Sequence, residues 1–207
     1  RVDFVENNKE CASMVKYLIL AVKPQYFREV LEEIRPMLGE EQILISIAAG
    51  ISIEKIKKDI GKKVRVIRAM PNTPALLGEG MTGVCYDTSD YTEGERAVIR
   101  HIFESFGRME IVNEELMNAV ICVSGSSPAY VYLFIEALAD GAVKYGIPRQ
   151  KAYEMAAQTV LGAAKMVLET KEHPGVLKDR VCSPGGTTIA GVAALEEHGF
   201  RNAVLKA

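Results

Sequence analysis

The sequence has no strong excess of charge of either sign, which argues against several classes of partner. Its 207 residues carry a formal net charge of -2, and 25% of them are charged. Lysines cluster between residues 55 and 63, but Glu54 and Asp59 lie among them, so the cluster is interpreted as a solvated helix face. No uninterrupted apolar run reaches the ~18 residues of a membrane span. We therefore predict neither a nucleic-acid partner nor a membrane partner.

Motifs for disulfides, metals and nucleophilic catalysis are also missing. The four cysteines lack any CxxC pair and lie in apolar or small-residue surroundings that are typical of free thiols. They are Cys11, Cys85, Cys122 and Cys182. The three histidines are isolated and lack metal-ligand spacing. We predict no metal site, no Ser-His-Asp or Cys-His arrangement, and a reducing, cytoplasmic compartment.

The first half of the chain alternates between apolar runs and helical patterns, as βαβ units do. Strands are predicted at 17–22, 43–48, 64–69, 83–86 and 109–112. Helices are predicted at 26–38, 52–60 and 92–106, with Ser52 as an N-cap. Because the strands lack polar alternation, helices should cover both faces of the sheet. The pattern predicts an α/β fold with a doubly wound parallel sheet over residues 1–113.

From residue 114 onward only helical patterns occur. Helices are predicted at 114–145, 148–168, 174–181 and 187–197, the last ended by Gly199. Pro128 should kink or interrupt the first of them, and His173 precedes the third as a helix-start residue. So few helices leave apolar side chains such as Val131, Phe134 and Leu138 without enough cover. We predict an all-α second domain over 114–207 that forms a homodimer.

A glycine-rich turn precedes the last predicted helix. In Ser183-Pro184-Gly185-Gly186, the glycines let backbone N–H groups converge, and Thr187 opens a helix whose first N–H groups have no intrahelical partner. A carboxylate or phosphate would satisfy these donors. The alternative is an ordinary turn with Thr187 as an N-cap, which is the commoner meaning of such a sequence.

Four motifs, in the same order and at similar spacing, resemble those of pyrroline-5-carboxylate reductases. They are Leu20-Ala21-Val22-Lys23-Pro24, Met70-Pro71-Asn72-Thr73-Pro74, Ser124-Gly125-Ser126-Ser127-Pro128-Ala129-Tyr130 and the segment 181–196, with His173-Pro174-Gly175 just before it. The resemblance spans essentially the whole chain. It implies a Rossmann domain for a nicotinamide cofactor, a helical dimerisation domain, and reduction of a cyclic imino acid to proline.

The usual start of a Rossmann fold is missing from this sequence. The chain begins at Arg1 and has no Gly-x-Gly-x-x-Gly between a first strand and a first helix. By comparison with the family, we expect a fragment that lacks the first strand, its helix, the second strand and the end of the last helix. The residues that read the adenosine 2′ position would lie in the missing part, so NADP is only weakly favoured over NAD.

The carboxyl ends of parallel strands bind ligands, and two of the family motifs lie at such ends. The resemblance implies that they contact the cofactor, with Asn8 near its adenosine portion. The predicted cofactor residues are Asn8, Ala21, Val22, Lys23, Pro24, Ala69, Met70, Pro71, Asn72 and Thr73. Asn72 could offer a donor and an acceptor to a carboxamide or ribose, or could cap its turn. Asn8 could also be the N-cap of a helix beginning at Lys9. Lys23 could be a proton donor or phosphate ligand, although the resemblance favours backbone contacts there.

The resemblance places the substrate at the glycine-rich turn. Its carboxylate would dock on the Gly185, Gly186 and Thr187 amides, while Thr188 would place its hydroxyl by the imine nitrogen as the catalytic residue. The predicted substrate residues are Val181, Ser183, Gly185, Gly186, Thr187 and Thr188. A threonine hydroxyl is too weak an acid to protonate an imine alone, so Thr188 would orient and relay a proton from water.

Two alternatives stay open at this stage. One is a related imine or keto-acid reductase, such as an opine-forming or β-hydroxyacid dehydrogenase. It is disfavoured because 124–128 holds only small residues where hydroxyacid dehydrogenases carry a catalytic lysine. The other is a non-catalytic helical dimer module, if the 207 residues are the entire molecule. The family resemblance also allows larger rings built from dimers.

Overall fold

The computed structural model describes residues 3–207, which divide into two compact units. The first extends to Pro128 and the second comprises residues 129–207. Residues 114–128 thus lie with the sheet in this division, whereas the domain boundary predicted from sequence is at residue 113. That predicted boundary stays a prediction, and the two units are described separately below.

Five strands form one sheet in the first unit. They are β1 (Tyr17–Leu20), β2 (Ile43–Ser46), β3 (Arg65–Met70), β4 (Gly80–Cys85) and β5 (Gly107–Ile111). Their spatial order follows the sequence, β1-β2-β3-β4-β5. The first three run parallel, but β4 pairs antiparallel with β3 and parallel with β5.

The α/β fold class with a mostly parallel sheet is confirmed, and the sheet departs from the predicted parallel arrangement at the pairing of β3 with β4. The connection between them contains only the 3₁₀ turn Thr73–Leu77. A parallel neighbour needs a crossover of a dozen or more residues, usually with a helix. This short connection can therefore only return the chain in the opposite direction.

Helices cover both faces of the sheet. The helices of this unit are α1 (Asn8–Met14), α2 (Phe27–Ile34), α3 (Ile53–Ile60), α4 (Glu93–Glu104) and α5 (Met117–Val120). Leu44 of β2 packs in a cluster with Leu31 and Ile56, whereas Ile45 faces the opposite cluster with Ile99. Because β2 is buried on both faces, it has no polar alternation, as the sequence predicts.

The helix starts follow capping chemistry, with one correction. Ser52 Oγ accepts a hydrogen bond from Lys55 N at 3.2 Å, which confirms Ser52 as an N-cap. Asn8, however, is the first residue of α1 rather than its cap. Asn7 holds that position, because its side chain accepts from Glu10 N at 2.9 Å. An asparagine one residue earlier reaches the same orphan N–H groups equally well.

The long helix predicted over 114–145 is interrupted, as expected from Pro128. After α5 the chain makes a π-helical turn, Ile121–Gly125, closed by Ser126 N donating to Ile121 O at 2.8 Å. The next helix, α6 (Ser127–Lys144), then begins. Proline has no N–H and clashes with the preceding turn, so the regular ladder cannot continue through it.

Helices alone form the second unit. After α6 come α7 (Arg149–Thr170), α8 (Pro174–Val181), α9 (Thr187–Glu197) and α10 (Phe200–Lys206). The helix α10, after Gly199, is not among the predicted elements. The buried core of this unit consists only of Ala139, Ala152 and Ala156.

Much apolar surface of α6 is exposed within the single chain, including Tyr132 and Leu133, which are 59% and 66% exposed. Among residues 3–207, one helical stretch, 114–144, is long and apolar enough to cross a bilayer, by length and composition only. The absence of a long uninterrupted apolar run therefore does not by itself exclude a membrane span. The same composition is typical of a helix that packs against another chain.

Candidate functional site

The glycine-rich turn before α9 is formed by local backbone chemistry. Gly185 has φ +67°, in the left-handed region that favours glycine. Gly186 N donates to Ser183 O at 3.0 Å and closes the turn. A Cβ on Gly186 would lie 2.7 Å from Ser183 Oγ. Gly185 is therefore favoured by its dihedral angle, whereas a side chain at Gly186 would crowd Ser183.

The start of α9 leaves backbone donors available. Gly186 is its N-cap residue and has no side chain to satisfy them. The first intrahelical bond runs from Ala190 N to Gly186 O at 3.3 Å, so the N–H groups of Thr187, Thr188 and Ile189 precede the ladder. The Gly186 amide already donates within the turn, so its bond to an anion stays a prediction.

The remaining predicted substrate residues lie around this turn. Thr187 and Thr188 are exposed in the first turn of α9, and Ser183 is exposed in the turn itself. Val181 ends α8 and lines an apolar cleft of about 430 Å³ between α7 and α8. His173 Nδ1 accepts from Gly175 N at 3.0 Å and caps α8, which confirms its helix-start role.

The predicted cofactor motifs lie at one edge of the sheet in the first unit. Leu20 pairs with Ser46, and Ser46 pairs with Arg68, so β1, β2 and β3 end at similar heights. Two strand spacings separate the loop after β1 from the loop after β3, about 10 Å. The parallel register thus brings together 21–24 and 69–73.

In the loop after β1, the main chain is better suited than the side chains to contact a ligand. Ala21 and Lys23 are exposed, and Val22 is half-buried. Pro24 begins a 3₁₀ turn in which Tyr26 N donates to Lys23 O at 3.0 Å. The fixed, accessible main chain of this loop fits a flat nicotinamide ring, which needs a wall and a few polar contacts. The residues present therefore fit that half of a dinucleotide.

The side chain of Asn72 holds the loop after β3 through two hydrogen bonds to the main chain of the protein. Its Oδ1 accepts from Met81 N at 2.9 Å, and its Nδ2 donates to Ser124 O at 3.0 Å. Asn72 holds the N-cap position of the turn Thr73–Leu77, but its side chain makes no capping bond there. One further N–H of the amide and one lone pair are left for a ligand.

Asn8 is also engaged with a protein side chain. Its Nδ2 donates to Glu33 Oε2 of α2 at 2.7 Å, although both residues are near the surface. The contact holds the start of α1 against α2. Its predicted approach to the adenosine portion stays a prediction.

A partly buried ion pair near the same edge was not found by sequence reasoning. Arg68 of β3 is 7% exposed, and its Nη1 lies 3.2 Å from Glu114 Oε1. The same oxygen accepts from Ile53 N, the first residue of α3, at 2.8 Å. An arginine in the middle of a mostly apolar strand was the available signal, and its partner 46 residues later follows no local pattern.

The opposite edge of the sheet carries a cluster of three charged side chains. Glu95 Oε1 and Oε2 lie 2.8 Å from Lys16 Nζ and Arg65 Nη1, respectively. Hydrogen bonds from Lys16, from Thr92 N and from Arg65 lower the pKa of Glu95 to about 2. Arg65 opens β3 and Lys16 precedes β1, so this cluster lies at the amino ends of the strands and away from the predicted cofactor loops.

Thiol and metal chemistry find no support in the described part of the chain. Cys85 is buried, and that burial raises the pKa of its thiol, which disfavours the nucleophilic thiolate. Cys182 is a half-buried free thiol beside the glycine-rich turn. Within residues 3–207, no group of three or more His, Cys, Asp or Glu side chains could hold a metal ion.

Comparison with known sequences identifies the family. The family model described as pyrroline-5-carboxylate reductase dimerisation matches residues 114–207, and the model described as NADP oxidoreductase, coenzyme F420-dependent, matches residues 1–50. The pyrroline-5-carboxylate reductase of Escherichia coli is 49% identical over 206 residues, covering 100% of this chain and 76% of that relative. The chain belongs to the pyrroline-5-carboxylate reductase family. The enzyme of Arabidopsis thaliana is 44% identical over 100% of the chain and 74% of its own length.

Solved structures of pyrroline-5-carboxylate reductases share the fold. The Plasmodium falciparum enzyme, whose structure has NADP bound, matches with a TM-score of 0.89 at 35% identity. The match covers 99% of this chain and 78% of that one. The Coxiella burnetii enzyme matches with a TM-score of 0.90 at 35% identity, covering 98% and 75% of the two chains. The Rossmann and helical organisation expected from the motifs is confirmed by these structures.

Proposed function

We propose that this member of the pyrroline-5-carboxylate reductase family reduces 1-pyrroline-5-carboxylate to L-proline with NAD(P)H, the last step of proline biosynthesis. The observation that carries this proposal is the match of the whole chain to reductases of that name at 49% identity. The uncapped start of α9 supports it, because it offers donors to a carboxylate.

Residues of the glycine-rich turn bind the substrate in this proposal. The carboxylate accepts hydrogen bonds from the main-chain N–H groups of Thr187 and Gly185, and the Ser183 hydroxyl is available beside them. Gly186 shapes the turn, and Val181 contributes an apolar contact. This remote anchor orients the C=N carbon, so that binding energy is used to position the reacting atoms.

Thr188 acts next to the reacting bond. Its hydroxyl hydrogen-bonds the imine nitrogen and orients it, while the proton comes from water or arrives with the iminium. The bound nicotinamide cofactor supplies the hydride. The backbone of 21–24 and 69–73 holds the nicotinamide ring, and Asn8 approaches the adenosine portion. We propose NADPH rather than NADH as the physiological reductant.

The helical unit is proposed to form a homodimer, because so little of its apolar surface is buried within one chain. The dimerisation name of the matching family model supports this assignment. Larger rings of dimers and a cytoplasmic location belong to the same proposal, without a membrane or nucleic-acid partner. A purely structural dimer module is disfavoured by the whole-chain match to reductases.

Loss of nicotinamide absorbance after addition of 1-pyrroline-5-carboxylate tests the reaction and the role of Thr188. In the complete protein, Thr188→Val keeps the side-chain shape but removes the hydroxyl, so kcat should fall about 100-fold or more. Thr188→Ser keeps the hydroxyl and should retain most of kcat. Equal activities of the two variants would remove Thr188 from the mechanism, and no turnover by the unmodified complete protein would contradict the function.

A further inference from the structure

The amide side chain of Asn72 joins three segments of the first unit. It lies in the loop after β3, receives a hydrogen bond from Met81 N in β4, and donates to Ser124 O in the π-helical turn. The two partners are 9 and 52 residues away in sequence. Asn72 itself is half-buried. One planar group thus fixes the distance between the loop and both neighbours.

The Ser124 carbonyl lacks its regular helical donor, because the residue four positions later is proline. In a regular helix, the N–H of residue 128 would donate to the carbonyl of residue 124. Residue 128 is proline and has no N–H. The neighbouring carbonyls have other donors, since Ser124 Oγ bonds Val120 O at 2.9 Å and Ser127 Oγ bonds Val123 O. The asparagine therefore supplies a hydrogen bond that the helix itself lacks.

The same π-helical region packs tightly on β4. A Cβ on Gly83 would come within 2.6 Å of Val120 Cγ1, so α5 lies against the strand at this glycine. The partner of Asn72 is consequently a packed element rather than a free loop. The hydrogen bonds of Asn72 transmit that fixed position to the segment 71–77.

We infer that Asn72 is a positioning residue. Through its bonds to Met81 N and Ser124 O, it holds the loop 69–73, the proposed wall for the nicotinamide ring, in place before the cofactor binds. This inference rests on the proposed function, which places the nicotinamide ring at that wall. It differs from a direct contact with the carboxamide or ribose, because the amide acts through the backbone of the loop. Because these bonds order the loop before the cofactor binds, they should affect the orientation of the nicotinamide ring more than the affinity of the protein for the cofactor.

Two substitutions at this residue separate its bonds. Asn72→Asp is nearly isosteric and keeps an acceptor for Met81 N, but it replaces the donor to Ser124 O by a carboxylate oxygen. Asn72→Ala removes both bonds. Asn118→Asp is the matched control, because Asn118 is exposed on α5 and the same amide-to-carboxylate change there breaks no described hydrogen bond.

The first readout does not need catalysis. Hydrogen exchange of the Met81 amide should accelerate about 10-fold in Asn72→Ala, equivalent to about 1.4 kcal/mol, and should stay near normal in Asn72→Asp. Unchanged exchange in Asn72→Ala would overturn the inference, whether or not the protein turns over the proposed substrate. Absence of turnover by the unmodified complete protein would separately contradict the proposed function.

The second readout separates positioning from contact. In both variants of the complete protein, kcat should fall about 10- to 100-fold. The deuterium isotope effect with cofactor labelled at the transferred hydrogen should rise, and the dissociation constant of NADPH should change less than about 3-fold. A 10-fold weaker NADPH affinity with unchanged kcat would indicate direct contact and overturn the inference. A lower melting temperature with unchanged kcat and affinity would show a merely structural role and overturn it equally.

Discussion

The sheet unit and the helical unit solve the problem of burying apolar surface differently. The sheet unit encloses two clusters of large side chains, with Ile45, Ile56 and Ile67 all fully buried. The helical unit encloses three alanines and leaves residues such as Leu133 and Leu205 66% and 84% exposed. Since burial of apolar area is the main favourable term in folding, the sheet unit can stabilise itself, whereas the helical unit needs another surface.

The largest effect is expected from a charge on the apolar face of α6. Leu133→Glu would place a carboxylate where the proposed dimer buries apolar surface, at a cost of several kcal/mol. Sedimentation velocity should show dissociation to monomers, and the helical unit should melt at a lower temperature.

Val98→Glu is the matched control, since Val98 is an apolar residue 40% exposed on α4 of the sheet unit. It should leave the assembly unchanged. If Leu133→Glu also stays dimeric, this face of α6 does not form the interface and the contrast between the two units loses its explanation.

The next effect concerns the core of the sheet unit. Ile67→Ala leaves a cavity between β3 and α4 and should lower the free energy of unfolding by about 2–5 kcal/mol, measured by urea denaturation. Val98→Ala should change it by about 0.5 kcal/mol or less. Similar costs for the two substitutions would show that the sheet unit is not the self-sufficient core described above.

A pH effect on stability should come from Glu95. The pKa of its carboxyl is lowered in the folded state to about 2, so the unfolded chain binds the proton more readily. Its contribution to stability is therefore fully present above the unfolded pKa of about 4.5, and is lost as pH falls from there through about 2.

Thermal melts from pH 7 to pH 2 check this expectation. Glu95→Gln should lower the melting temperature at pH 7 and reduce the further loss between pH 4.5 and 2. Glu93→Gln, in the exposed first turn of the same helix, should retain the full acid-dependent loss. An identical pH profile for wild type and Glu95→Gln would contradict the role of the cluster with Lys16 and Arg65.

The smallest effect is expected at Thr82, a residue of β4 with no solvent exposure. Its Oγ1 is buried without a hydrogen-bond partner within residues 3–207. Thr82→Val replaces the hydroxyl by a methyl group of similar size and should be neutral or stabilising by up to about 1 kcal/mol. Thr159→Val is the comparison, because that exposed hydroxyl bonds Met155 O at 2.8 Å. A loss above 1 kcal/mol in Thr82→Val would show that the hydroxyl has a partner.

Local patterns predicted the elements of both units well, because the causes are local. Ser52 and Thr92 cap helices through N–H groups three residues away, and Pro128 interrupts the long helix through its missing N–H. The motifs around Gly185 and Asn72 also indicated the family that the comparisons show. What failed was the direction of β4, which the short connection after β3 sets, and the cap of α1, where either of two neighbouring asparagines could hold the position.

In the candidate site, too, features with local causes could be predicted and contacts between distant residues could not. The uncapped start of α9 could be predicted from glycine, threonine and helix geometry. The closed bond between Gly186 N and Ser183 O could not, because either glycine amide can face the turn or a ligand. The partners of Asn72 and Arg68 lie 52 and 46 residues away, and no periodicity relates residues at such separations.

The sequence by itself determined the fold class, the order of helices and strands, the family and the turn at which an anion would bind. These follow from apolar periodicity, capping residues and φ restrictions that act over a few residues. The tertiary structure alone decided the antiparallel return of β4, the use of Asn72 to complete the π-helical turn, and the pairing of Arg68 with Glu114. The direction of β4 follows from the short connection after β3. The contacts of Asn72 and Arg68 depend on which distant polar groups meet once the core has excluded water, because a buried donor or acceptor must then find its partner in the protein.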